Sequence, residues 1–173
     1  MQGINRLLLA ASVIMATTAV DGSSALVPPL NGMGRYEYSE VVQVEGASAK
    51  ELYARAKSWV AQKYRFTPAV IELDDPASGR LIVRAFFLNE LETRYGVYQV
   101  GYTMTVEVTD GRYRYALGDF TRKVNGSEDA LQNETTKKTL ANLTAKVTSG
   151  GPLLVESLKA AMLRPTPASS AGQ

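Results

Sequence analysis

Between Val97 and Thr121 the chain reads VYQVGYTMTVEVTDGRYRYALGDFT, two alternating runs joined by Asp110-Gly111, and no other stretch restricts the fold as tightly. An Asp-Gly pair flanked by alternating apolar residues predicts a two-residue hairpin of type I′, which needs positive φ at both central positions and matches the right-handed twist of its strands. With Thr109 facing Arg112, the pairs running back are Val108 with Tyr113, Glu107 with Arg114, Val106 with Tyr115, Thr105 with Ala116 and Met104 with Leu117. This register puts Val108, Tyr113, Val106, Tyr115, Met104 and Leu117 on one apolar face, and Thr109, Arg112, Glu107, Arg114 and Thr105 on a polar one. A slip of one residue would send every side chain to the wrong side. The apolar face therefore needs a cover, and the rest of the chain has to supply it.

With 173 residues, 45% hydrophobic and 21% charged, the chain is long enough for one ordinary domain with appendages. The formal charge of +2 supplies no global field toward nucleic acid or anionic lipid. The start, MQGINRLLLAASVIMATTAV, places Arg6 before an apolar run and then small residues, the order of a secretory signal peptide. That run is about 14 residues, short of the ~20 a membrane-crossing helix needs, so no permanent anchor is expected. Ser23 and Ala25 supply small residues for cleavage after Ala25, with Thr17 and Ala19 marking an alternative site. Residues 1–25 are thus a signal peptide, and the product is periplasmic or extracellular. The absence of cysteine excludes disulfides and a lipid-bearing thiol.

Residues 26–35 are rich in Pro and Gly and read as a linker. A strand is expected from Tyr36 to Glu45. Ser48 and Glu51 then form a capping box, in which each side chain takes the other's backbone amide. The helix it opens carries Leu52, Ala56, Trp59 and Val60 on one stripe bordered by Tyr53, and Thr67-Pro68 ends it. Its phase turns Trp59 inward onto the hairpin. Short strands follow at 69–74 and 80–88 around an Asp75-Pro76-Ala77-Ser78-Gly79 turn. Residues 89–96 read as a charged loop, and the central hairpin ends near Phe120. Asn125-Gly126 marks a turn, Ser127-Glu128-Asp129 opens a weak helix, Gly150-Gly151-Pro152 interrupts it, and Leu153 to Leu163 forms a better one. The domain spans 36–164, and 165–173 is a disordered tail by composition. The class is α+β: a two-layer sandwich with a curved antiparallel sheet of about five strands, in the order β-α-β-β-β-β-α, and helices on one face.

Without histidine or cysteine, Ser-His-Asp, Cys-His and imidazole-zinc sites cannot be built. Acids at Asp74-Asp75, Glu90 with Glu92, and Asp119 leave a carboxylate couple as the chemical option, though acids in turns are usually solvated. No phosphate-binding glycine loop occurs. Arg80 and Arg84 share one strand face and Arg112 and Arg114 the polar hairpin face, with Phe86 and Phe120 nearby. Aligned, the four arginines form a candidate anion-contacting surface. The competing reading is a solvated outer face neutralised by Glu107 and its threonines.

The segments YSEVVQVEGASAKELYARAKSWVAQKY, DDPASGRLIVRAFF and TMTVEVTDGRYRYALGDF resemble a secreted bacterial family, a domain of unknown function with a TBP-like fold. The likeness covers roughly 36 to 121, and its most specific features are the late Trp59, the Gly79-Arg80-Leu81-Ile82 strand start and DGRYRY. It implies a curved antiparallel sheet with helices on one face and a Gram-negative envelope setting. It brings no catalytic or binding residues. Residues 125–150 depart from the family and read as an insertion. "TBP-like" describes shape, not function, and the leader and near-neutral charge argue against nucleic acid.

The first functional expectation is a non-enzymatic exported interaction module that meets an envelope protein or polymer through its open sheet face or an edge strand. No cofactor or metal is expected. The alternative is a small-ligand or lipid binder with a pocket between sheet and helices, fitted by Tyr102, Tyr113, Tyr115 and Trp59. An apolar cavity of several hundred Å³ would favour the alternative, and a filled core the first expectation.

Overall fold

The computed structural model describes residues 28, 29, 31–33, 35–65, 69–87, 91–93 and 96–164. The expected leader, its cleavage after Ala25, the helix stop at Thr67-Pro68 and the tail at 165–173 lie outside the described residues. In chain order the elements are β1 (Tyr38–Gln43), α1 (Ala49–Lys63), β2 (Ala69–Asp75), β3 (Arg80–Phe86), β4 (Leu91–Thr93), β5 (Gly96–Thr109), β6 (Arg112–Val124), β7 (Ser127–Ala130), a short 3-10 turn at Leu131–Asn133, and α2 (Lys137–Leu163). The strands form one antiparallel sheet in the order β1-β6-β5-β3-β2. β4 extends the sheet beside β5, and β7 does so beside β6.

The central hairpin has the register its sequence predicts, from Thr109 opposite Arg112 to Met104 opposite Leu117. Its apolar face is buried throughout. The turn differs from the expected type I′, because Gly111 has φ of 75° while Asp110 does not have positive φ. Contacts outside the hairpin set this conformation: the Ala49 amide donates to Asp110 Oδ1 at 2.7 Å, the Gly111 amide to the Ala47 carbonyl, and the Val44 amide to the Gly111 carbonyl. The hairpin tip thus caps α1, placing a carboxylate at the positive end of the helix dipole.

The cover consists of two helices. α1 starts at the capping box, with the Ser48 amide donating to Glu51 at 2.9 Å and the Glu51 amide to Ser48 Oγ at 3.3 Å. It buries Leu52, Tyr53, Ala56, Trp59 and Val60. α2 runs back along α1: Arg55 Nη1 donates to the Met162 carbonyl at 2.8 Å, and Trp59 Nε1 to Ser157 Oγ at 3.0 Å. Trp59 therefore sits at the seam between the helices as well as over the sheet.

Several expectations need correction. The Asn125-Gly126 pair is a second hairpin turn, with φ of 49° and 86°, so β6 runs on to Val124 and Ser127-Glu128-Asp129 lies in β7 instead of opening a helix. Both positive values satisfy the type I′ rule, and that local preference outweighs the acids that resemble a helix start. Part of the expected charged loop at 89–96 is β4. These two additions raise the strand count from about five to seven.

Gly150-Gly151-Pro152 does not interrupt α2, which is a single helix of 27 residues. The glycines allow it to lie close on the sheet. A Cβ at Gly150 would come 2.7 Å from Phe87 Cδ1, and one at Gly151 2.6 Å from Tyr38 Cε2. Residues 125–150, expected to be an insertion, supply the second hairpin turn, β7 and the first half of α2 in the same two layers. The expected linker is tied down as well. The Glu37 amide donates to the Pro29 carbonyl at 3.0 Å, and Asn31 receives the Met33 and Arg35 amides.

Candidate functional site

Alternation along β3, β5 and β6 gives the sheet an open face opposite the helices. All four candidate arginines lie on it, and strand register decides what each one meets. Arg80 and Arg114 are both opposite Glu107, one from β3 and one from β6, with contacts of 3.3 and 3.5 Å. Arg84 reaches Glu128 of β7 at 2.6 Å, and Glu72 lies 3.9 Å from its other terminal nitrogen. Burial works to raise the Glu128 carboxyl, but the Thr121 hydroxyl and the Arg84 guanidinium outweigh it and hold it below its usual value. Arg112 donates to Thr109 Oγ1 at 3.3 Å. Three of the four guanidiniums thus face carboxylates, and the surface is a lattice of opposed charges, not a single-sign patch.

The acids considered for catalysis have other partners. Asp74 accepts from Lys57 at 2.8 Å and from the Tyr53 hydroxyl at 2.6 Å, and Lys57 first, then Tyr53, holds it below the usual carboxylate range. Asp75 accepts the Ala77 and Ser78 amides in its turn, and Ser78 leads in keeping it low. A general acid at neutral pH needs the opposite shift. Asp119, at φ 47° in the bulge where β6 slips against β5, pairs with Arg35 at 2.8 Å. Glu90 and the side chain of Glu92 lie outside the described residues. Among the described residues no group of three or more acids could hold a metal ion.

The aromatics expected to line a pocket separate. Tyr113 is buried in the core, the Tyr115 hydroxyl donates to Glu40 at 3.1 Å, and Trp59 occupies the helix seam. Tyr102 borders a cavity.

The sheet edges give a stronger signal. β2 is the last strand in the order and pairs only with β3 among the described residues. Its second half is guarded by acids, with Glu72 in a bulge between Ile71 and Leu73, followed by Asp74 and Asp75. Its first half is not guarded: Val70 is 62% exposed and Ile71 48%, one on each side of the strand. Sequence reasoning identified this strand but not its exposure, because edge position is a property of topology and leaves no local mark.

Residues 38–123 match a family model described as a domain of unknown function (DUF4468) with TBP-like fold. A DUF4468 family protein from Bacteroides ovatus has a similar structure, with TM-score 0.64 and 16% identity, covering 82% of this chain and 93% of that one. A TBP-like protein from Parabacteroides distasonis gives TM-score 0.62 and 16% identity, covering 82% of this chain and 99% of that one. At such identity the likeness shows the fold alone. No curated protein matches the chain.

Proposed function

Residues 38–123 belong to the DUF4468 family with its TBP-like fold, and from that premise we propose that the chain is an exported, non-enzymatic interaction module of the bacterial envelope. It takes an extended segment of a partner protein onto the first half of β2. The observation that carries this reading is the pair Val70 and Ile71, largely exposed on a strand whose outer backbone groups have no neighbouring strand among the described residues. Proteins usually protect such edges with charge, bulges or cover. Here the protection begins only at Glu72, leaving Ala69 to Ile71 as a short template for strand addition. In that mode backbone hydrogen bonds supply affinity, and the side chains on either side of the strand supply selectivity.

The open face supports the choice of edge over surface, since its arginines are largely matched by Glu107, Glu128 and Glu72. The leader-like start supports the export part of this reading. Among the described residues no helix is long and apolar enough to cross a membrane.

The test is a photo-crosslinking residue placed at Val70 in the full chain in its native host, with the same residue at Thr105 on the open face as comparator. The expected result is one discrete protein adduct in the envelope fraction from position 70 and none from 105. No adduct at 70, or equal capture from both positions, overturns the reading.

A further inference from the structure

Where α1 ends and α2 passes over the end of β3, a cavity of about 220 Å³ opens to solvent, lined in part by Lys63, Tyr64, Phe87, Tyr102, Gly150 and Leu153. Its walls are aromatic. The Phe87 and Tyr102 rings lie 4.5 Å apart at 44°, and Tyr64 meets the edge of Trp59 at 5.9 Å. An apolar cavity of about 150 Å³ suffices for benzene, so this one has room for a compact ring system.

Two features distinguish it from a packing defect. Tyr102 is only 3% exposed, and its hydroxyl lies 3.1 Å from that of Tyr64. Two hydroxyls sharing one hydrogen bond leave one hydrogen without an acceptor among the described residues. Burial raises the pKa of both tyrosines, so that hydrogen stays in place at any physiological pH. At the rim, Lys63 makes no ion pair among the described residues, and Leu153 is 72% exposed.

We propose that this cavity binds a flat aromatic carboxylate bearing a hydrogen-bond acceptor at its far end. The ring lies among Phe87, Tyr64 and Tyr102 under Leu153, the acceptor takes the spare tyrosine hydrogen, and the carboxylate meets Lys63. Charge complementarity at the rim and the unspent donor inside select this occupant over a neutral apolar one. The proposal stands independently of the β2 edge.

The experiment is calorimetric titration of the purified protein with 6-hydroxy-2-naphthoate, with 2-naphthoate lacking the inner acceptor, and with 2-naphthol lacking the carboxylate. The expected order has 6-hydroxy-2-naphthoate tightest. Lys63→Glu, an exposed change that spares the fold, should weaken both carboxylates about tenfold and leave 2-naphthol unchanged. Tyr64→Phe combined with Tyr102→Phe, which removes both hydroxyls and so the spare hydrogen, should erase the preference for 6-hydroxy-2-naphthoate over 2-naphthoate. Absence of saturable binding by any of the three, or carboxylate affinities unmoved by Lys63→Glu, overturns the proposal.

Discussion

The two helices cover the same sheet but are specified in different ways. α1 carries its instructions locally: a capping box at one end, an apolar stripe of regular phase, and a clean stop after Lys63. α2 has almost none of these. Its N-cap Thr136 makes no side-chain bond, its first turn carries no acid, and Pro152 sits in its interior. It is held by contacts distant in sequence instead. Gly150 and Gly151 lie against Phe87 and Tyr38, Lys159 pairs with Glu40 at 2.6 Å, and Arg55 and Trp59 tie it to α1. A helix can thus persist through a local breaker when packing offsets the cost.

The most severe test removes the residue both helices share. Trp59→Ala deletes a buried ring and the hydrogen bond to Ser157, and should cost about 3–5 kcal/mol in denaturant unfolding. A loss below 1 kcal/mol would mean the seam is not where the helices are joined. Next, Gly151→Val forces a side chain into Tyr38 and should cost about 1–3 kcal/mol, because overpacking here must move the helix or the sheet. If the substitution is neutral, α2 does not depend on its close approach.

Pro152→Ala separates the two accounts of α2 most cleanly. In a continuous helix the proline removes one backbone hydrogen bond and crowds the preceding turn, so alanine should stabilise the protein by about 1–2 kcal/mol. If Pro152 instead opened a separate helix, it would occupy a tolerated first-turn position and the change would be nearly neutral. Thermal melts of the two proteins decide between these.

This difference also marks how far the fold was legible. The register of β5 on β6 followed from alternation around Asp110-Gly111, and the inward face of α1 from its spacing, because both are set by neighbours in sequence. The conformation of the Asp110 turn was not legible, since it depends on hydrogen bonds to Ala47 and Ala49 across the fold. The second hairpin was legible in principle: Asn125-Gly126 carries the same kind of signal, and the acids after it resembled a helix start. The arginines were rightly placed on one face, but their partners Glu72 and Glu128 come from β2 and β7, whose positions only the topology reveals. The exposed Val70 and Ile71, and the cavity bordered by Tyr64, Phe87 and Leu153, depend on which elements end up adjacent.

The local determinant of α1 should have a smaller effect than the packing determinants of α2. Ser48→Ala removes one cap acceptor and should cost about 1 kcal/mol. Asp110 still receives the Ala49 amide in that variant, so the start of the helix keeps one acceptor from the hairpin tip. Combining Ser48→Ala with Asp110→Ala should therefore cost more than the sum of the single changes, measured by a double-mutant cycle. Simple additivity would show that the two caps do not substitute for each other.

The smallest expected effect is the pH dependence of the tie between α2 and β1. Lys159 is the main reason Glu40 lies below its usual carboxyl range, burial opposes it, and the Tyr115 hydroxyl adds to the lowering. The unfolded chain therefore takes up the proton more readily than the folded one. The contribution of Glu40 is complete above its unfolded pKa of about 4.3 and is lost as pH falls through the lower folded value. Glu40→Gln should accordingly lower the melting temperature slightly at pH 7, and the gap to the native protein should close toward pH 3. Because the pair is half exposed, salt should narrow the gap at pH 7 as well. A gap that persists unchanged at pH 3 would assign the stabilisation to packing of the Glu40 stem, not to its charge, and α2 would then be anchored to β1 chiefly through Gly151 and Tyr38.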